Sequence, residues 1–164
     1  MATKEQKLQN MILAFANSKH VTNLGLTKLY KLIYFADVRH LREHGRTITG
    51  LPYIKLQNGP VPNNVDHTVR TMARNGSVLY ETKKLSDSHY IHKIDSGSIK
   101  TNSNVFTENE IDSILWSIKK YGKKTATALS EISHEEPAWN YAELNKTMSE
   151  ELMMYGTKED PEGL

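Results

Sequence analysis

The sequence predicts a mostly helical α+β fold: a single compact domain with a small antiparallel β-sheet or hairpin inserted between helices. Two observations lead to this prediction. Apolar residues recur at helical spacing towards both ends of the chain, and they alternate with polar residues over short stretches in the middle. The 164 residues suffice for one domain with its own core. We expect that domain to cover residues 1–156 and a disordered polar tail to cover residues 157–164.

Composition and charge narrow the classes of function. The chain has 21 Lys and Arg against 19 Asp and Glu, a balance that does not by itself indicate nucleic-acid binding. It has no cysteine, which excludes disulfides, thiolate nucleophiles and cysteine-ligated metal centres. No apolar stretch is long enough to cross a membrane, and the N-terminal residues carry no apolar leader, so we expect a cytoplasmic protein.

Two helices are expected at the N-terminus. Residues 5–18 place apolar side chains on one face, and residues 27–43 carry a broader apolar stripe that indicates burial on more than one side. We expect Thr27 to cap the start of the second helix and Gly45 to end it.

The β structure should begin after these helices. Residues 53–57 alternate as a short strand does. Pro60 and Pro62 have no backbone N–H to donate, so we expect the strand to stop before them. Asn63 or Asn64 is then placed to cap the next helix with its side chain.

A hairpin is expected in the second half of the chain. Residues 77–82 and 89–94 have the composition of its two strands, and the polar residues 83–88 would form the loop between them. Residues 96–104 are polar throughout and are expected to be a linker.

Helices are expected again towards the C-terminus. Thr107 and Glu110 have the spacing of a capping box at the start of one helix. A second helix is expected over residues 125–133, a short one with Pro137 in its first turn, and a last one over residues 149–155.

Three side chains on the second helix have spacing compatible with a metal site. His40 and His44 are four residues apart, and Asp37 lies one turn earlier, so all three would share a helix face. This arrangement would suit a metal-dependent hydrolase. The glutamate of an HExxH motif is missing, however, and two polar residues near a helix end explain the pattern more simply.

His134, Glu135 and Glu136 could form an acid–base site. No serine nearby has the flanking sequence of a catalytic nucleophile, and the chain has no phosphate-binding glycine loop. We favour the alternative, a histidine at a helix end that packs beside Trp139.

A DNA-binding transcriptional regulator of phage or mobile-element origin is an alternative function. The third expected helix carries His67, Arg70 and Arg74, and a helical unit followed by a hairpin is similar to a winged helix. Three such side chains make a thin reading surface, and an ordinary solvated helix face explains them as well. Nucleic acid is therefore a partner that we do not favour.

Three segments together resemble the Panacea antitoxin domain, also called SocA-like, which includes phage-associated GepA-like proteins. The segments are "LTKLYKLIYFADVRHLREHGRTITG", "YIKLQNGPVPNNV" and "LSEISHEEPAWNYA", in that order. The residues that stand at the family's motif positions are Lys31, Tyr34, Asp37, Gly45, Ile48, Gly50, Tyr53, Gly59, Pro60, Val61, Pro62, Leu129, Ser130, Ser133, His134, Glu136 and Trp139.

The resemblance implies a function without enzymatic activity or a cofactor. Members of this family are antitoxins of two-gene toxin–antitoxin pairs that neutralise a cognate toxin by protein contact, and SocA-like members can hand the toxin to a cytoplasmic protease. The motif residues would then be structural or partner-binding. They carry no catalytic or metal-binding assignment.

A protein interface of this kind would need aromatic anchors on adaptable loops. The candidates are Tyr53, Tyr80, Tyr90, Trp116 and Trp139. Of these, we expect at least Trp116 and Trp139 to lie in the core.

Overall fold

The structure, a computed structural model, describes residues 1–157 and residue 160. It confirms a single α+β domain that is mostly helical, with two small antiparallel sheets of two strands each. The helices of the described residues are α1 Lys4–Asn17, α2 Leu26–His44, α3 Val65–Arg74, α4 Glu108–Tyr121, α5 Ala126–His134 and α6 Pro137–Asn140. The strands are β1 Tyr53–Leu56, β2 Gly59–Pro62, β3 Val78–Ser86 and β4 His89–Ser96.

Helix α2 runs through the centre of the core. It packs against α1, α4, α5 and β2, and most of its side chains are buried, which explains why its apolar stripe is so broad. The prediction that Thr27 caps it was wrong. The N-cap is Gly25, whose neighbour Leu24 accepts a hydrogen bond from the N–H of Ile94 at 2.8 Å, so pairing with β4 fixes where the helix starts.

The other helix ends agree with the sequence more closely. Gly45 ends α2 with φ at 79°, and its N–H donates to the carbonyl oxygen of Leu41 at 2.8 Å. Thr107 and Glu110 form the predicted capping box of α4, and Pro137 opens α6. These helix ends are set by contacts between residues close together in sequence, so they could be predicted without knowledge of the tertiary packing.

The stretch Gly59–Pro62 is a strand, so the prediction that β structure stops before the prolines was wrong. It pairs with β1, with Lys55 opposite Pro60 and Tyr53 opposite Pro62. The backbone of Lys55 and Tyr53 points away from β2, since their carbonyls accept from the N–H groups of Asn145 and Met148, both at 2.8 Å. Pro60 and Pro62 therefore lie opposite residues that form no hydrogen bond with β2. At these positions the missing N–H of proline removes no hydrogen bond from the sheet.

Helix α3 starts at Asn64, one of the two predicted caps, but without the predicted side-chain hydrogen bond. Asn64 has φ at 61° and no cap hydrogen bond from its side chain. Asparagine tolerates this left-handed conformation, so it serves here as the pivot of a sharp turn.

The hairpin β3–β4, residues 78–96, is longer than predicted. Strand β3 extends through most of the region expected to be a loop, while β4 begins at His89 as predicted and continues to Ser96. The turn is confined to Asp87 and Ser88, with an irregular register between Lys84 and Ser86. Val78 and Ile94 at its base are buried. The outer part of this hairpin arm buries little, so its residues show no apolar alternation that would identify them as strand.

The C-terminal segment also departs from the prediction. Only Leu152–Met154 forms a short 3₁₀ turn where a helix over residues 149–155 was expected. Of the tail predicted to be disordered, residues 158, 159 and 161–164 lie outside the described residues. Within the described part of the chain, no helix has both the length and the apolar character needed to cross a membrane.

Candidate functional site

The carboxylate of Asp37 is the centre of a buried hydrogen-bond cluster on α2. It accepts from the N–H groups of Ile48 and Thr49 at 2.8 and 3.0 Å, from the Thr49 hydroxyl at 2.5 Å and from the Tyr53 hydroxyl at 2.6 Å. Asp37 and Tyr53 are almost completely inaccessible to solvent. The cluster therefore holds the segment that leads into β1 against the middle of α2.

Burial opposes the charge on Asp37. Desolvation raises the pKa of its carboxyl group, while the four hydrogen bonds act in the opposite direction. Burial likewise raises the pKa of Tyr53 well above its usual value, and the neighbouring carboxylate adds to the effect. Tyr53 therefore stays a neutral donor, and its depth in the core removes it from the candidate partner anchors.

Asp37 does not share a metal site with His40 and His44. Nδ1 of His40 lies 2.6 Å from the carbonyl oxygen of Arg46, and the two imidazole rings are 4.8 Å apart. The four contacts to Asp37 all come from hydrogen-bond donors. Among the residues described, no three His, Asp or Glu side chains are grouped so that they could hold a metal ion. The geometry gives the hydrolase alternative no support.

A second buried cluster joins α2 to the start of α6. The Tyr34 hydroxyl donates to Oε1 of Glu136 at 2.6 Å, and the Arg42 guanidinium donates to the same oxygen at 2.9 Å. Arg42 also donates to the carbonyl oxygens of Met153 and Tyr155 at 3.0 and 2.8 Å. One arginine thus fastens the C-terminal segment and α6 to the central helix.

The sequence analysis did not select Arg42. Its position eight residues after Tyr34 places both side chains towards one face of α2, but that spacing alone identifies no partner. Desolvation raises the pKa of Glu136, against the attraction of Arg42. Side chains of the ion pair are only 4% exposed on each partner. Removing one partner would leave a buried charge without its counterpart.

Lys31 connects α2 to the "GPVP" strand. Its ammonium donates to the carbonyl oxygen of Pro60 at 3.0 Å, and burial lowers its pKa to about 7. Gly59 has φ at 115°, and a Cβ there would meet Cε of Lys31 and, at 2.5 Å, the Ser133 hydroxyl oxygen. Only a glycine at this position lets β2 approach both α2 and α5 this closely.

His134 lies outside these two clusters and packs on Trp139. Their ring centroids are 4.1 Å apart at an interplanar angle of 21°. The Trp139 indole N–H donates to the carbonyl oxygen of Leu56 at 3.0 Å, and the Lys55 ammonium lies 4.1 Å from the Trp139 ring centroid. This stacking agrees with the interpretation of His134 as a packing residue.

The acid–base arrangement that was the less favoured interpretation of His134, Glu135 and Glu136 is not assembled. Glu136 is directed to Tyr34 and Arg42, and Glu135 is exposed. Burial lowers the pKa of His134, and the positive charges of Lys31 and Lys55 act in the same direction. His134 therefore tends to stay neutral, and neither adjacent carboxylate forms an ion pair with it.

The motif residues thus surround one helix and connect it to three other parts of the chain. On α2, the motif residue Asp37 contacts the segment that enters β1, Lys31 contacts β2, and Tyr34 contacts the start of α6. Gly50 lies in the turn before β1, where φ is 66° and the Lys4 side chain packs closely. Val61 is half-buried between the buried Pro60 and Pro62. The arrangement can position backbone segments, but it presents few polar groups to solvent.

The accessible aromatic and aliphatic groups lie elsewhere. Leu115 on α4 and Tyr141, Leu144 and Tyr155 near the C-terminus are between 56% and 79% exposed, and the hairpin arm carries a further group. Leu79, Leu85, Tyr90 and Ile91 are between 42% and 54% exposed. Tyr80 is half-buried, and its hydroxyl lies 2.9 Å from Nδ1 of His92. Among the candidate anchors, Tyr90 is therefore the most accessible side chain.

Trp116 and Trp139 are half-buried on the outer layer of the core. Trp116 packs edge-on against Tyr121 at 5.5 Å, and the guanidinium of Arg39 and the ammonium of Lys120 both lie 4.9 Å from its ring. Both indoles are covered by the protein's own cations, which leaves neither as an open anchor.

Comparison with known proteins identifies the family. The model of one protein family, described as "Antitoxin SocA-like, Panacea domain", matches residues 29–140, more than half of the chain. A search of curated proteins and a search of solved structures each returned no match. The matched range contains Asp37, Lys31, Gly59 and Glu136, around which the buried clusters are built. This chain belongs to the SocA-like, Panacea-domain antitoxin family.

Proposed function

We propose that this protein neutralises a small cognate protein toxin by binding to it directly. Membership of the antitoxin family supports an antitoxin-type role. The observation that carries the finer proposal is the division between buried motif residues and an exposed hairpin arm. The first provides a rigid scaffold, and the second provides a surface for a partner.

The buried clusters support a binding role better than a catalytic one. Asp37 and Glu136 are engaged by donors from their own chain, and Lys31 is engaged by a backbone carbonyl. A catalytic group needs access to a substrate and a second group within hydrogen-bond reach. All three side chains are buried, so none of them is accessible to a substrate.

The hairpin arm has the properties of an adaptable contact surface. It combines exposed apolar side chains with a long two-stranded frame whose base is anchored by Val78 and Ile94. Exposed segments on a fixed core tolerate sequence change without loss of the fold. The same scaffold could therefore accommodate different toxins. We extend the proposal to a cytoplasmic location and to delivery of the bound toxin to a protease.

Co-expression tests the proposal. The short reading frame next to this gene is placed under an inducible promoter, with and without this protein on a second plasmid. We expect the frame alone to stop growth, the pair to grow normally, and the two purified proteins to elute together from a sizing column.

The matched control carries a stop codon early in the antitoxin gene, so that its RNA is still made. If growth recovers with this control, or if the frame is equally inhibitory with the intact protein, neutralisation by protein contact is wrong. Rescue without a complex on the column would also contradict it.

A further inference from the structure

A groove of about 600 Å³ lies between the N-terminal ends of α2 and α5 and the hairpin arm. Its walls are residues 22–28 without residue 24, residues 89–92 and residues 123–127. The β1–β2 turn contributes Asn58, and α5 contributes Ser130, Glu131 and His134. The groove therefore adjoins the buried scaffold on one side and the exposed arm on the other.

The groove is lined by more positive than negative side chains. Lys123 and Lys124 are exposed on its rim. Lys28 is buried in its floor, where its ammonium donates to the carbonyl oxygens of Thr22 and Gly122. Within the described part of the chain, no carboxylate forms an ion pair with any of the three lysines. Glu131 is the only carboxylate among the lining residues.

Two helix N-termini add to this field. The first turns of α2 and α5 both line the groove, and the positive end of each helix dipole faces it. The start of α2 has no side-chain cap, because its N-cap is Gly25. The start of α5 is capped by Thr125, whose side chain accepts from the N–H of Ala128 at 3.1 Å.

The remaining wall is the outer edge of strand β4, whose inner part is already paired with the segment before α2. Tyr90 and Ile91 are 49% and 42% exposed. The N–H of Ile94 points away from β3, since it donates to Leu24 at 2.8 Å. Gly25 pairs with Lys93 and lies against the carbonyl oxygen of His92, so this pairing covers β4 as far as His92. Because backbone direction alternates along an antiparallel strand, the backbone groups of Tyr90 point to the same edge beyond that pairing. An extended segment of another chain can pair with such an edge.

We propose that this groove binds an extended acidic segment of the toxin. Carboxylates of that segment would lie against Lys123, Lys124 and the two helix N-termini, and its apolar side chains would pack on Tyr90 and Ile91. The proposal rests on the proposed function and names the surface that performs it. A nucleic-acid backbone fits less well, because no arginine lines the groove and one wall is apolar.

The decisive variant is K123E/K124E, which reverses the charge at the rim. Both side chains are exposed, so the fold should survive, and the melting temperature checks this. The matched control is K100E/K146E, which makes the same charge change at two exposed lysines outside the groove. We expect affinity for the purified toxin to fall about tenfold or more in the first variant and to change little in the control.

A second measurement uses a peptide probe on the full chain. A short peptide of alternating Glu and Leu is titrated into labelled protein, and the backbone amide signals are followed by NMR. We expect the shifts to cluster at residues 25–28, 89–92 and 123–127. A peptide of alternating Lys and Leu should produce no such cluster. Inorganic phosphate and duplex DNA serve as the competing anions.

The outcomes separate this proposal from the proposed function. If the wild type neutralises the toxin and K123E/K124E does so with equal affinity, the groove assignment is wrong and the antitoxin role stands. If the wild type does not bind the toxin at all, the proposed function itself fails. If duplex DNA binds at the same residues more tightly than the acidic peptide, nucleic acid is the better ligand of the groove and the assignment to a toxin segment is wrong.

Discussion

The region around α2 and the hairpin arm use similar residue types in opposite ways. Around α2, Lys31, Asp37 and Tyr53 lie in the core, and each forms a hydrogen bond with a specific group. On the arm, Lys83, Asp87 and Tyr90 are exposed. The first arrangement stabilises one geometry, because a buried polar group without its partner is costly. The second leaves the side chains available to another molecule.

This contrast explains how a scaffold can keep one geometry while its surface varies. The polar contacts around α2 determine which backbone segments lie against the helix, so changing one of them should affect the whole domain. Side chains on the arm contact few neighbours, so changing them should affect only what they bind. The following substitutions test that contrast.

Asp37→Ala should have the largest effect. It removes the acceptor of four hydrogen bonds and leaves the Tyr53 hydroxyl and the N–H groups of Ile48 and Thr49 buried without a partner. We expect the free energy of unfolding to fall by about 3–5 kcal/mol, measured by urea denaturation. Asp87→Ala at the tip of the arm is the control and should leave the unfolding midpoint in place. Equal effects of the two substitutions would remove the contrast between the regions.

Gly59→Ala should be the next largest. The added Cβ meets Lys31 and Ser133 at a backbone conformation with φ at 115°, and we expect a loss of about 2–4 kcal/mol from crowding and strain together. Gly45→Ala separates the two causes. Its φ is 79°, but nothing lies within 4 Å of the new Cβ, so only the backbone strain of about 1 kcal/mol should appear. A Gly59 variant no less stable than the Gly45 variant would show that β2 can move away from α2.

The buried ammonium of Lys31 should make stability depend on pH. Its pKa is lowered from 10.5 to about 7 in the folded protein, so between these values the unfolded chain binds more protons than the folded one. The contribution of Lys31 to stability should therefore rise with pH above about 7, by no more than about 1.4 kcal/mol per pH unit.

Urea denaturation up to about pH 9.5, below the tyrosine titrations, measures this slope. Lys31→Met keeps the aliphatic stem and removes the charge, so its profile should be flatter than that of the wild type. The remaining slope would include Lys28, whose pKa burial also lowers. Parallel profiles for the two proteins would show that Lys31 stays protonated in the fold.

The double substitution L85S/Y90S on the arm should have the smallest effect on stability. Both side chains are about half exposed, so we expect a change within about 0.5 kcal/mol. Binding of the toxin should nevertheless weaken, because apolar contact area is lost on the arm, including Tyr90 at the groove wall. Unchanged toxin affinity with unchanged melting would remove the arm from the interface.

Features that depend on near neighbours along the chain could be predicted from the sequence alone. The α+β class, the capping box of α4, the end of α2 at Gly45 and the start of α6 at Pro137 all follow from local spacing, and the structure confirms them. The motif residues also gave the family, because their order along the chain is itself a sequence property.

The remaining features of the fold and of the site depend on contacts between distant parts of the chain. Pairing with β4 started α2 at Gly25, and the alternate backbone direction of β1 allowed two prolines inside β2. Arg42 became the clamp on Glu136 only because α6 and the C-terminal segment fold back onto α2. Partners that lie some hundred residues apart in sequence leave no periodic signal, so the clusters and the groove could be found only once the chain was packed.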